Sequence, residues 1–397
     1  MKILIADKLS DRALDALKQT GFDVEFRPDL SADELSEAIL GFNILVVRST
    51  KVTAATIDSA DNLSLIVRAG AGVNTIDVAA ASVQGIYVTN CPGMNSDAVA
   101  ELAIGLLIAC DRRIAHATID LRSGRWNKKE YSKARGLKGR TFGLLGMGMI
   151  GQAVAQRARG LEMEVIAWSR SLTPKSAGSC GVLFAESPLD VAQASDAVSI
   201  HLAATPETKH LVNTDFLEAM KDEAILINTS RGDLIDTTAL TVAIRHKGLR
   251  VGLDVFEDEP STGSAEFADA DLAGLVTSTP HIGASTDQAS EAIATEVVRM
   301  IEAFRESGRP FNVVNMCAQT TARYSLVVRH FNRVGVLASV LHSLREEGIN
   351  VEEMENMIFD GARAACCTLQ LDQGPTQQLV DNLSRHEHIL QAHLESR

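Results

Sequence analysis

Short apolar runs alternate with amphipathic stretches from the start of the chain. "KILIAD" (2–7), "FNILVVRS" (42–49), "LSLIVRAG" (63–70) and "IYVTN" (86–90) are too short for helices and are mostly apolar on both faces. Such runs predict buried parallel strands. "DRALDALKQT" (11–20) and "SADELSEAIL" (31–40) lie between them and carry apolar residues at helical spacing. "VAELAIGLLIAC" (99–110) is the longest apolar stretch, interrupted by Glu101 and bounded by Asp111. It is short of the roughly 18 residues a membrane span needs, so a buried helix over about 96–114 is expected, capped by Ser96 or Asp97.

The alternation restarts at residue 141. "TFGLLGMG" (141–148) is a strand entering a glycine turn, and "MIGQAVAQRARG" (149–160) is the helix after it. "EVIAWS" (164–169), "AVSIHL" (197–202), "AILINTS" (224–230) and "RVGLDVF" (250–256) continue the strand series, and Leu275-Val276 reads as the end of one more. "STDQASEAIATEVVRMIEAFRES" (285–307) is one long amphipathic helix with no new sheet beside it, so it is predicted to return to the first sheet. After a linker over 308–322, the tail reads β-α-β-β-α-β, the ferredoxin-like order. The expected fold class is α/β: two doubly wound parallel-sheet lobes, residues 1–96 with 286–314 and residues 97–285, plus a ferredoxin-like domain over 322–397.

Hydrophobic residues make up 46% of the chain and aromatics only 4%, so Ala, Val, Leu and Ile must fill the cores. A net charge of −13 argues against nucleic acid as a partner, since a phosphate backbone needs a basic surface. The six cysteines form no C-x-x-C pair and no zinc spacing, and Cys366 and Cys367 would face opposite sides of one strand. Reduced thiols, no metal centre, no membrane anchor and a cytoplasmic setting are expected.

Gly146-x-Gly148-x-x-Gly151 follows a strand and opens a helix at Met149 and Ile150. That context favours a dinucleotide diphosphate against the turn and the helix N-terminus. A carboxylate for the adenine ribose is due about twenty residues on. Ser169 and Arg170 stand there instead, so NAD is expected with NADP as an alternative. Asp254 stands at a strand end in "GLDVFEDEP", and Arg231 in "NTSRG", Glu259 in "GLDVFEDEP" and His281 in "TPHIGAST" follow three successive strands. Oxidising an alcohol beside a carboxylate needs a base, an orienter for the base and a cation, and Arg231, Glu259 and His281 supply these. Gly283 is expected to relax the backbone after His281. Glu257 and Asp258 are expected in a solvated loop.

"GLLGMGMIG", "HLAATPETKHLVN", "LINTSRG", "GLDVFEDEP" and "TPHIGAST", in this order, resemble the D-isomer-specific 2-hydroxyacid dehydrogenases over about residues 40 to 315. The resemblance implies Arg231 on the substrate, Glu259 paired with His281, and His281 as acid/base. It also implies first-lobe substrate contacts at Arg48 and Ala71-Gly72-Val73. The cofactor would meet Thr229, Ser230, Arg231, Asp254, His281, Gly283 and Ala284, besides the glycine turn, Ser169 and Arg170. Ala203 departs from the proline common at its position. "VRHFNRVGVLASVLHSLREEGIN" resembles an ACT domain, which implies an L-serine site at His330, Asn332 and Asn350, and a homodimer or homotetramer; Val334 replaces a usual proline there. Together these imply oxidation of 3-phospho-D-glycerate to 3-phosphohydroxypyruvate at the start of serine synthesis. Two alternatives stay open: an NADPH-dependent glyoxylate or hydroxypyruvate reductase, and a dinucleotide-sensing binding protein.

Overall fold

The computed structural model describes residues 1–260, 265–317 and 322–396. Residues 318–321 of the expected linker, and Arg397 of the expected third domain, lie outside the described residues. The chain divides into two compact units, Met1–Asn315 and Met316–Arg397.

The first unit holds two parallel sheets. Strands β1 (Lys2–Ile5), β2 (Asp23–Phe26), β3 (Ile44–Val47), β4 (Leu65–Arg68) and β5 (Tyr87–Asn90) are ordered β2-β1-β3-β4-β5. The Asp287–Ser307 helix does return to this sheet, laying Ile293, Val297, Met300, Ile301 and Phe304 against a core that includes Ile3, Ile5 and Ile44. Each such side chain, fully buried, contributes roughly 1.5–3 kcal/mol.

Strands β6 (Thr141–Leu145), β7 (Glu164–Trp168), β8 (Leu183–Phe184), β9 (Ala197–Ile200), β10 (Ile225–Asn228), β11 (Arg250–Leu253) and β12 (Thr277–Ser278) form the second sheet, ordered β12-β11-β10-β9-β6-β7-β8. The order reverses between β6 and β9, which opens a crevice at their carboxyl ends, where sheets of this kind bind ligands. The Ser96–Arg112 helix packs Ala103, Leu106 and Leu107 into the core with Phe142 and Ile227. Its approach is close: a Cβ on Gly252 would lie 2.7 Å from Ile227 Cδ1 and 3.1 Å from Leu106 Cβ.

Three local expectations are corrected. The helix is preceded by Asn95 as N-cap, with no side-chain cap bond, rather than by Ser96 or Asp97. It stops at Arg112, because Arg113 turns left-handed at φ 53°, and a separate Ile114–Arg122 helix follows with no buried residue. Leu275 closes a short Ala270–Leu275 helix, capped by the Asp269 side chain, so the strand begins at Thr277, just past the residues expected to end it.

A buried ion pair anchors the far end of the sheet. Asp111 and Arg140 have side chains only 2% and 10% exposed, with Arg140 Nη1 3.1 Å from Asp111 Oδ1. Gly136 N–H and the Arg250 guanidinium also bond Asp111, through its carboxylate and its carbonyl respectively. Burial and the nearby Arg135 charge hold the Arg140 guanidinium below its usual range.

In the second unit, β13 (Tyr324–Phe331), β14 (Val351–Ile358), β15 (Ala364–Leu371) and β16 (Ile389–Ser396) form an antiparallel sheet ordered β14-β15-β13-β16. The Val336–Glu346 and Gln377–Arg385 helices contribute Val340, Leu344 and Leu383 to a core with Leu326, Val328 and Leu369. β14 is an edge strand and leaves Met354, Met357 and Ile358 exposed.

Asp111→Ala removes one member of the buried pair and strands the Arg140 charge. It is expected to cost about 3–5 kcal/mol of stability, measured as a lower urea midpoint at unchanged slope. A change below about 1 kcal/mol would show that Arg140 reaches water once Asp111 is gone.

Candidate functional site

The glycine turn is fixed by close approaches rather than by flexibility alone. Gly146 takes φ 104°, and a Cβ there would sit 2.3 Å from the His201 carbonyl oxygen. A Cβ on Gly151 would sit 2.1 Å from the Gly146 carbonyl oxygen. Any larger residue at 151 would therefore push the Met149–Gly160 helix off the strand. Gly148 caps that helix without a side-chain bond, so its first N–H groups remain available to an anion. Ile150 is half-buried beside this turn, and Met149 is exposed, with its Sδ 2.6 Å from where a Cβ of Gly93 would lie. The Thr229 hydroxyl and both ring nitrogens of His201 are buried at the same crevice with no hydrogen-bond partner among the described residues. Burial pushes the His201 imidazole down to about 3. The turn, the open helix end and the unsatisfied hydroxyl fit a dinucleotide.

The catalytic candidates do converge. His281 Nδ1 lies 2.6 Å from Glu259 Oε2. Glu259 Oε1 accepts from Phe256 N–H at 2.9 Å, so both carboxylate oxygens are directed. Burial opposes the Glu259 charge, but the bonds from His281 and Phe256 and the Arg231 charge outweigh it and hold the carboxyl below its usual range.

Asp254 shapes the turn that carries His281. Its buried carboxylate accepts from the Thr279 hydroxyl at 2.6 Å and from Ile282 N–H and Gly283 N–H at 2.8 Å each. Its carbonyl accepts from His281 N–H at 2.8 Å. It therefore orients His281 through the backbone, not through the imidazole. The expectation for Gly283 is corrected: the left-handed residue is His281 itself, at φ 53°. Gly283 is required because a Cβ there would meet Asp254 Oδ2 at 2.9 Å.

Arg231 follows β10 in a turn held by Asn228, whose amide nitrogen donates to the Arg231 carbonyl at 2.8 Å and whose amide oxygen accepts from Ser230 N–H at 3.0 Å. The Ser230 hydroxyl donates to the Ile200 carbonyl, which ties the turn to β9. Gly72 faces this arginine: a Cβ there would lie 2.7 Å from Arg231 Nη2. The Ala71-Gly72-Val73 loop and Arg231 thus meet across the cleft. That cleft is about 1400 Å³ and is lined by Lys8, Arg48 and Arg68 on one side and Arg231, Glu259 and His281 on the other, with Ala284 also on its wall.

Arg68 and Asn228 were missed by the sequence reading. Arg68 was legible as a charge closing the apolar run "LIV"; nothing in "LIN" marks Asn228 as a turn brace. Burial, then the charges of Arg231 and Arg48, hold the Arg68 guanidinium below its usual range. Its Nε is buried with no hydrogen-bond partner among the described residues. Glu257 is also reassigned: it is half-buried and contacts His210, so it is no solvated loop residue.

Ser169 and Arg170 lie just past β7, with Ser169 half-buried and Arg170 exposed. In the second unit, His330 is buried, with Nε2 3.2 Å from Asn356 Oδ1, and Asn332 donates to the Ala362 carbonyl. Asn350 stands elsewhere. Its neighbour Val351 pairs with Leu371, which also pairs with Tyr324 at the start of β13, while His330 lies at the other end of that strand. Within one chain, then, the three residues expected at a serine site occupy opposite ends of the sheet.

Residues 104–283 match the family model for the D-isomer specific 2-hydroxyacid dehydrogenase, NAD binding domain. A D-3-phosphoglycerate dehydrogenase of Methanocaldococcus jannaschii is 39% identical over 318 residues, spanning 80% of this chain and 60% of its own length. A hydroxypyruvate reductase of Thermotoga maritima is 42% identical over 285 residues, 70% of this chain and 89% of that protein. The crystal structure of NAD+-bound 3-phosphoglycerate dehydrogenase of Entamoeba histolytica superposes with a TM-score of 0.67 at 25% identity, covering 80% of this chain and 99% of that one.

His281→Ala is expected to lower turnover about 100-fold or more, the scale for losing a general acid/base. NADH affinity, read by fluorescence titration, should stay within about twofold, because the glycine turn is untouched. Near-normal turnover would remove His281 from the chemistry.

Proposed function

Because the chain belongs to the D-isomer-specific 2-hydroxyacid dehydrogenase family, we propose that it oxidises 3-phospho-D-glycerate to 3-phosphohydroxypyruvate. The observation that carries this substrate is a cluster of three guanidinium groups and a lysine in one cleft, where Asp7, Asp29, Glu259 and Asp287 also lie. One guanidinium, Arg231, is enough for a carboxylate. Arg48, Arg68 and Lys8 line the same cleft, and Arg48 and Arg231 both act on Arg68. Asp7 opposes the repulsion between these like charges, and a phosphate on carbon 3 among the three guanidinium groups would oppose it further.

Arg231 holds the carboxylate through two parallel hydrogen bonds. Since Nδ1 of His281 faces Glu259, Nε2 is left for the substrate hydroxyl. It takes the hydroxyl proton as the carbonyl forms, and the ionised Glu259 offsets the imidazolium charge. A nicotinamide dinucleotide held at the Gly146–Gly151 turn would supply the hydride acceptor for carbon 2. In the reverse direction His281 returns the proton to the carbonyl oxygen.

A second reading, NADPH-dependent reduction of glyoxylate or hydroxypyruvate, is favoured by Ser169-Arg170, where no carboxylate repels a 2′-phosphate. Steady-state rates with phosphorylated and unphosphorylated substrates, each with both cofactors, separate the two. Arg68→Gln is expected to lower kcat/KM for phosphoglycerate about 30-fold or more, the loss of one hydrogen-bonded charge contact, and for D-glycerate less than about threefold. Equal losses on both substrates, or a wild-type preference for glyoxylate with NADPH, would replace the phosphoglycerate reading with the second one.

For the tail we read an ACT module that binds L-serine between two copies. Antiparallel pairing of exposed β14 edges from two chains would carry Asn350 of one toward His330 and Asn332 of the other, and would cover Met354 and Met357. Calorimetry on the full chain is expected to find serine binding that Asn350→Ala abolishes, with turnover lacking serine unchanged. Absence of binding at millimolar serine would leave the tail as an assembly module.

A further inference from the structure

Two imidazole–carboxylate contacts arise from one short loop. Glu259 meets His281, and two residues earlier Glu257 Oε1 lies 2.6 Å from His210 Nε2. The second pair has no part in the proton transfer described above. Its side chains are 37% and 28% exposed, so it is not a freely solvated contact.

His210 stands in a segment laced to the turn that carries Arg231. Its N–H donates to the Asp233 carbonyl at 2.8 Å, and Val212 N–H donates to the Leu234 carbonyl at 3.0 Å. The Phe256–Glu259 stretch presses on the same turn from elsewhere: a Cβ on Gly232 would fall 1.9 Å from the Phe256 carbonyl carbon. The Arg231 turn is therefore held between two segments, and the His210–Glu257 contact joins those segments directly. Thr237, at the start of the next helix, also bonds Glu257. His210 reaches the carboxylate from a left-handed backbone at φ 51°, a conformation that costs a non-glycine residue energy.

We propose that His210 and Glu257 are positioning residues, a clamp that fixes the loop from which Glu259 reaches His281. Neither touches the reacting atoms. With the clamp released, the Phe256–Glu259 stretch would keep its contact with Gly232 but lose its tie to the 208–212 segment. Glu259 would then meet Nδ1 of His281 in fewer of its conformations, and sub-ångström misplacement of a catalytic group is costly.

The kinetic arm of the test rests on the dehydrogenase reading; the spectroscopic arm does not. His210→Asn tolerates the left-handed backbone and is too short to reach Glu257. His210→Gln keeps a donor at similar reach. Glu257→Ala removes the same contact from the other side, and circular dichroism with thermal melting identifies which variants are folded. On folded protein, His210→Asn or Glu257→Ala is expected to lower kcat about tenfold, with NADH affinity within twofold, and the double variant should fall no further. His210→Gln should recover most of the rate. Without any substrate, the downfield proton resonance of the His281 Nδ1–H bonded to Glu259 should broaden or vanish in the loss variants and persist in His210→Gln. Normal turnover and an unchanged resonance in either folded loss variant would overturn the clamp. A resonance that responds as expected in a protein inactive on every 2-hydroxy acid would overturn the reaction and leave the clamp standing.

Discussion

At the end of β11 a carboxylate is buried with no cation among its described partners. Asp254 is 1% exposed, and an unpaired charge in that position would cost several kcal/mol without hydrogen bonds. The chain from 279 to 283 supplies those bonds and must curl around the oxygens to do so. Much of the site follows from that curl. It puts His281 into a left-handed conformation, turns its imidazole toward Glu259, and leaves no room for a side chain at 283. The strain at His281 is small against the solvation Asp254 would otherwise lack.

The cofactor crevice and the substrate cleft obey a related constraint, the exclusion of Cβ atoms. Gly146, Gly151 and Gly232 each face backbone at distances no methyl group can share, and Gly72 faces the Arg231 guanidinium. Close backbone approach leaves N–H groups and carbonyls aligned for a ligand, and it rigidifies the turns that carry the charged side chains. Arg48 and Arg231 both act against the Arg68 charge in the substrate cleft, while Asp7 favours it.

The parallel sheets, the glycine turn and the Arg231, Glu259 and His281 set were legible because each leaves a local mark: a short apolar run, a fixed glycine spacing, a charged residue at a strand end. What was missed depends on contacts distant in sequence. Nothing in "TKHLVN" shows that His210 will find Glu257, 47 residues on. At Gly283 the sequence shows only a flexible position, because the Asp254 carboxylate that excludes a side chain there lies 29 residues earlier. The helix break at Arg113 has no proline or glycine to announce it, and the segment after it exposes Ile119 and an 81% exposed Trp126. Asn350 fits a motif by spacing along the chain, but strand pairing within the chain places it at the far end of the sheet from His330.

Arg231, Glu259 and His281 follow β10, β11 and β12, which are immediate neighbours in the sheet. The interval between their attachment points is thus the lateral repeat of a parallel ladder, about 4.8 Å, set by backbone hydrogen bonding and independent of side chains. A carboxylate, a carbinol carbon and its hydroxyl span a comparable length. The sheet thus sets the spacing at which the three loops begin, and the loops and the contacts that hold them set the remaining approach of Arg231, Glu259 and His281.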